Sequence, residues 1–73
     1  MITKEDFVAC DLRYKELSET SERLAAARAA LPAGSSRARV TSANAKWSRA
    51  AEARDMRRRE LEAAYDRAVE GKP

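Results

Sequence analysis

Leu31-Pro32-Ala33-Gly34-Ser35-Ser36 decides the architecture of this chain of 73 residues. Pro32 cannot continue a helix, and the residue before it is pushed out of helical conformation. Ala33-Gly34-Ser35-Ser36 is turn-forming, and either serine can cap a helix that follows. Working backwards from this turn, Leu31, Arg28, Leu24, Ser21, Leu17, Tyr14, Cys10 and Phe7 alternate spacings of three and four, an a/d heptad seam. Thr3 and Asp6 form a T-x-x-D capping box, and Ile2 and Phe7 occupy the two positions of a hydrophobic staple. Working forwards, Val40, Ala43, Trp47, Ala50, Arg54, Arg57, Leu61, Ala64 and Ala68 repeat the rhythm until Gly71 and Pro73 stop it. The spacing predicts a single all-α domain over residues 1–73: a helix over about 3–31, a turn at 32–35 and a helix over about 36–70.

A turn this short makes the two helices antiparallel neighbours, a coiled-coil-like hairpin. If Leu31 meets Val40, then Leu24 meets Trp47, Leu17 meets Arg54, Cys10 meets Leu61 and Phe7 meets Ala64. The expected hairpin core is Phe7, Cys10, Tyr14, Leu17, Leu24, Leu31, Val40, Trp47 and Leu61. The same register sets Asp6 against Arg67, Arg13 against Glu60 and Asp11 against Arg58, each pair opposite in charge. Exposed pairs of this kind select register more than they supply stability.

A domain of this size buries only about 60% of its unfolded surface, and small scaffolds need a staple. One cysteine, Cys10, rules out a disulfide within the chain, and with no histidine no zinc site or other metal site is expected. The middle of the seam is lined by Ser21, Ala25, Ala27, Ala43, Ala50 and Ala53, which bury little apolar area. Val8, Leu12, Met56 and Ala63 fall off the seam and collect toward the open end of the hairpin. They are the expected interface of a homodimer, a four-helix arrangement with two-fold symmetry, or of a partner protein.

Charge is uneven: residues 1–34 carry a net −1 and residues 35–73 a net +4. Arg54, Arg57, Arg58 and Arg59 form the densest basic patch. A phosphate or acidic-protein contact is the sharper reading. A solvated face is the plainer one, since consecutive residues fan around roughly 200° of a helix and Glu52, Asp55, Glu60 and Glu62 are interleaved. Arg28, Arg54 and Arg57 fall on the seam, so their aliphatic stems should pack while their guanidinium groups reach water or a carboxylate. Trp47 reads as core packing or as an interface anchor, and Cys10 as a small buried apolar side chain.

No residues suggest catalysis. There is no histidine to act as a base near neutral pH, and Gly34 and Gly71 cannot make a phosphate loop. No cofactor is expected. The charged start and the lack of a long apolar run indicate neither a signal peptide nor a membrane span, and the single thiol suits a reducing cytoplasm.

A short, histidine-free, Ala/Arg/Glu-rich hairpin resembles the small accessory proteins that bacteriophages of GC-rich hosts encode. That resemblance implies a helical host-takeover protein working in a bacterial host cell, and it carries no residue roles. Leu24-Ala25-Ala26-Ala27-Arg28-Ala29-Ala30-Leu31 is also similar to the first helix of gpW-like head–tail joining proteins, but Pro32 and a second helix stand where that fold has a β-hairpin. The expected function is a small protein-binding adaptor or inhibitor, dimeric through its helices, that blocks or bridges a partner such as a regulator. The alternatives are a nucleic-acid-associated protein using its Arg-rich second helix and a structural virion component.

Overall fold

The computed structural model describes residues 2–71. They form three helices, α1 (Lys4–Ala9), α2 (Leu12–Ala29) and α3 (Arg37–Glu70), and no strand. The two long helices, α2 and α3, pack against each other, and α1 continues the line of α2 along the far end of α3. The result is a rod measuring 60 × 16 × 14 Å. Its radius of gyration is 16.5 Å, against about 11 Å for a compact domain of this length. No helix among the described residues is long and apolar enough to cross a membrane.

The turn follows from its residues. Ser35 donates both its backbone N–H (3.1 Å) and its hydroxyl (2.7 Å) to the Pro32 carbonyl. Gly34 has φ +89°, a conformation that glycine adopts without a Cβ penalty. Ser36 caps α3 by accepting from the Arg39 N–H at 3.3 Å. Thr3 caps α1 by accepting from the Asp6 N–H at 3.1 Å.

The first helix is not continuous. It breaks at Cys10–Asp11, where Asp11 is extended (φ −75°, ψ 120°) and its carboxylate accepts from the Tyr14 N–H at 2.8 Å, capping α2. The break corrects three expectations. Cys10, expected in the core opposite Leu61, is exposed. Val8, expected on a partner interface, is 2% exposed and is the most buried apolar side chain among the described residues. Of the expected ion pairs, Asp11 joins Arg57 rather than Arg58, Arg13 joins Glu16 rather than Glu60, and no bridge links Asp6 with Arg67. Ending one helix and recapping the next rotates α1 relative to α2, so the seam that ran through Cys10 now runs through Val8. Val40 is also corrected. At 39% exposed it lies in the first turn of α3, where the chain has only just left the turn and little of α2 remains to cover it.

Within these limits the antiparallel pairing holds along the rod. Arg28 reaches Asn44 (3.5 Å), Arg54 reaches Ser21 (3.3 Å), and Lys4 pairs with Asp66 (2.8 Å). At the open end the Tyr65 hydroxyl donates to the Ile2 carbonyl at 2.9 Å, and the Phe7 and Tyr65 rings sit 5.7 Å apart. The core is small: among the described residues only Val8, Ala51 and Leu61 are buried apolar side chains, with Ser21 buried beside them. Leu17, Leu24, Leu31 and Trp47 are half-buried.

Candidate protein-docking face

Three of the four cations in the basic cluster of α3 are engaged by partners within the hairpin. Arg57 makes a two-bond clasp on Asp11, Nε at 3.0 Å and Nη2 at 2.9 Å, and its Nη1 reaches Glu60 at 3.4 Å. The guanidinium, and secondarily the Tyr14 N–H, hold the Asp11 carboxyl below its usual range, and Asp11 in turn raises Arg57. Arg58 donates to the Tyr14 hydroxyl at 3.3 Å and lies 3.8 Å from Glu62. Arg54 bridges Ser21 and Asp55. Arg59 is exposed beside Glu52, Asp55 and Met56. The four cations therefore point to different places and present no single anion-binding surface. The Arg28 guanidinium lies over the Trp47 ring at 4.4 Å, so this indole is covered from within its own hairpin.

The off-seam apolar residues do not share a surface either. Val8 is buried. Leu12 is 75% exposed and lies nine residues from buried Ser21, two and a half turns away on the opposite side of α2. Met56 is 59% exposed and five residues from both Ala51 and Leu61, about 140° around α3 from each. Exposed Ala63 is near it on the outer edge of α3. Leu12 and Met56 thus mark opposite edges of the rod.

What the hairpin does present is a shallow, discontinuous groove along one side of α2 and α3. One wall is Leu17 and Leu24 on α2 with Leu31 just beyond its end, at successive sevens. The other, on α3, is Arg39, Lys46, Ala53 and Glu60, also at sevens. Heptad spacing drifts only about 20° per step, so each set stays on one side of its helix. Three depressions lie along this side. One near the turn is lined by Leu24, Ala27, Leu31, Arg39, Ala43 and Lys46. The second holds Thr20 and Arg23 beside Leu24 and Ala27, and the third holds Arg13, Leu17, Ala53, Met56, Arg57 and Glu60. The two depressions nearer the turn are mainly apolar and the third is mixed, and the α3 wall changes from cationic at the turn to acidic at Glu60.

Folding also sorts charge in a way that linear halves conceal. Residues 23–51 contain six basic side chains and no acidic one, and the turn folds them together at one end of the rod. The remainder carries nine basic and twelve acidic side chains. The rod is polar end to end, about +6 at the turn and −3 at the open end. The signal that finds this face is present in the sequence as the acid-free stretch and the leucine heptad, read together rather than as a seam alone.

Among the described residues no group of three or more His, Cys, Asp or Glu side chains could hold a metal ion. In comparisons with known proteins, no family model, no curated protein and no solved structure matches this chain.

Proposed function

We propose that this chain is a non-catalytic protein-binding module, an adaptor or inhibitor that lays its groove along a helix of a protein partner and so bridges or blocks it. The setting we propose is the cytoplasm, that of a bacterial host where the chain is phage-encoded. The observation that carries the reading is the aligned pair of heptad walls. Leucines at 17, 24 and 31 are only half-buried by their own hairpin, on a protein that has little other core. A half-covered leucine stripe flanked by charged residues of a neighbouring helix accepts a further amphipathic helix by ridge-into-groove packing.

A photo-crosslinking side chain tests it. Placed at Ala27, in the groove, it gives a discrete protein adduct in the cells that make the chain; placed at Ser48, on the reverse side of α3, it does not. Equal labelling from both positions, or none from Ala27, refutes the reading.

A second reading, contact with nucleic acid, has one observation in its favour: the acid-free turn end. A salt series on duplex binding decides it. Phosphate contacts make log affinity fall steeply and linearly with log salt, with a slope near −0.9 per contact.

A further inference from the structure

We infer that the occupant of the groove is a second copy of this chain, lying antiparallel and related by a two-fold axis perpendicular to the rod. The inference rests on the docking-face reading: in the free protein the second copy covers the groove, and the partner's helix displaces it. Three observations carry it.

The first is area. The chain exposes 5739 Å² for a mass of 8.1 kDa, whereas a compact monomer of that mass exposes about 4,500 Å². The excess, roughly 1,200 Å², exceeds the about 800 Å² that each partner contributes to a standard protein interface. That excess is spread along a rod 60 Å long, a length over which two copies can meet side by side.

The second is the order of residues along the walls. A two-fold axis crossing the rod at the midpoint of the α3 wall sets Arg39 opposite Glu60 of the second copy, and Glu60 opposite Arg39 of the second copy. The Arg28–Asn44 and Arg54–Ser21 contacts place that axis beside Leu24 on the other helix, so it brings Leu24 against Leu24 of the second copy and Leu17 against Leu31, twice. One operation therefore pairs both the charges and the leucines. Glu60 is also the one acidic side chain lining any of the three groove depressions. Ala53 lies between the charges on the α3 wall, where a small side chain lets the helices approach.

The third is the polarity of the rod. A parallel dimer would bring two acid-free turn ends together, six cations against six. The antiparallel dimer puts each cationic turn beside the acidic open end of its neighbour.

Sedimentation equilibrium at micromolar concentration and low salt tests the association, and distance measurement tests its direction. Nitroxide labels at Ala33→Cys, in a Cys10→Ser background, are expected about 45 Å apart, from a rise of about 1.5 Å per residue over the helix between each turn and the axis. A parallel dimer brings them within about 20 Å, roughly two helix diameters. Glu60→Arg weakens the dimer by roughly tenfold, and the double variant Arg39→Glu/Glu60→Arg restores it by exchanging the charges. A wild type that stays monomeric at 100 μM (on the order of a hundred times a micromolar Kd), or labels at the short distance, overturns the inference. If the wild type is monomeric while a crosslinker at Ala27 still forms a protein adduct, the docking face stands and only this occupant fails. If both are negative, both fall.

Discussion

Exchanging Val8 and, separately, Leu12 for alanine weighs the helix break directly, because a seam running on through Cys10 would leave both residues outside the hairpin core. Val8 is 2% exposed and Leu12 is 75% exposed. Val8→Ala removes two methyl groups from a buried site, a transfer loss of about 1.6 kcal/mol at about 0.8 per group. They leave a void of roughly 50 Å³, worth up to about 1.2 kcal/mol if nothing relaxes. Alanine returns about 0.5 kcal/mol through helix propensity. In so thin a rod the neighbours relax readily, so the void term shrinks and the net loss is about 2 kcal/mol. For a domain of this size that lowers Tm by roughly 8–16 °C. Leu12→Ala gives up little buried area and gains slightly in propensity, so its stability stays within about 0.5 kcal/mol of wild type. The assay is thermal and urea unfolding followed by far-UV circular dichroism, repeated at several protein concentrations because self-association makes Tm concentration-dependent. If Leu12→Ala falls as far as Val8→Ala, or if Val8→Ala is silent, the helix does not break and recap at Asp11 as described.

Gly34→Ala meets no neighbour within 4 Å of the added Cβ but must hold φ +89°, so it costs about 1 kcal/mol of backbone strain, read as a lower urea midpoint; Gly34→Asn costs less. Asp11 is held below its ordinary value of 3.8 by Arg57 and the Tyr14 N–H. Its folded value lies below its unfolded one, so its contribution is complete above about pH 4 and is lost as the pH falls through the folded value. Asp11→Asn should therefore lower stability at neutral pH and flatten the acid limb, and an acid limb as steep as wild type would refute this. Cys10 is exposed, so a thiol reagent should titrate one thiol per chain without denaturant, and protection in the native state would return it to the seam.

The turn and the helix starts were readable because every signal there is local: Pro32 removes a donor, Gly34 supplies positive φ, and Ser36 and, at the open end, Thr3 cap within three residues of themselves. The leucines at 17, 24 and 31 were readable as a stripe for the same reason. The break at Asp11 was not. Phe7, Cys10 and Tyr14 keep the heptad intact across it, and an aspartate three residues before Tyr14 is an ordinary helix residue until something else holds its carboxylate. That something is Arg57, 46 residues away, which no local pattern announces. The docking face was hidden differently. Splitting the chain at Gly34 divides the charge between two helices, whereas the fold divides it between two ends, because the turn lays residues 23–36 beside 37–51. The positions of Leu12 and Met56 follow the same logic: both lie toward the open end, but proximity along the rod says nothing about which side of it they face.

The six residues of α1 have a consequence for the order in which this molecule comes apart. Fewer than two turns cannot persist as a helix in water, so α1 exists only while tertiary contacts hold it. Those contacts are Val8 in its slot, the Lys4–Asp66 pair and the Tyr65–Ile2 hydrogen bond. Lose them together and α1 peels away as one cooperative unit, at a free energy below that of global unfolding. The damage then stops at Asp11. Its cap on α2 and its clasp on Arg57 lie on the hairpin side of the break, so neither depends on α1 staying in place. Asp11 acts as a firebreak: the hydrogen-bonded amide protons of residues 6–9 exchange first and as a group, and those inside α2 wait for the whole rod.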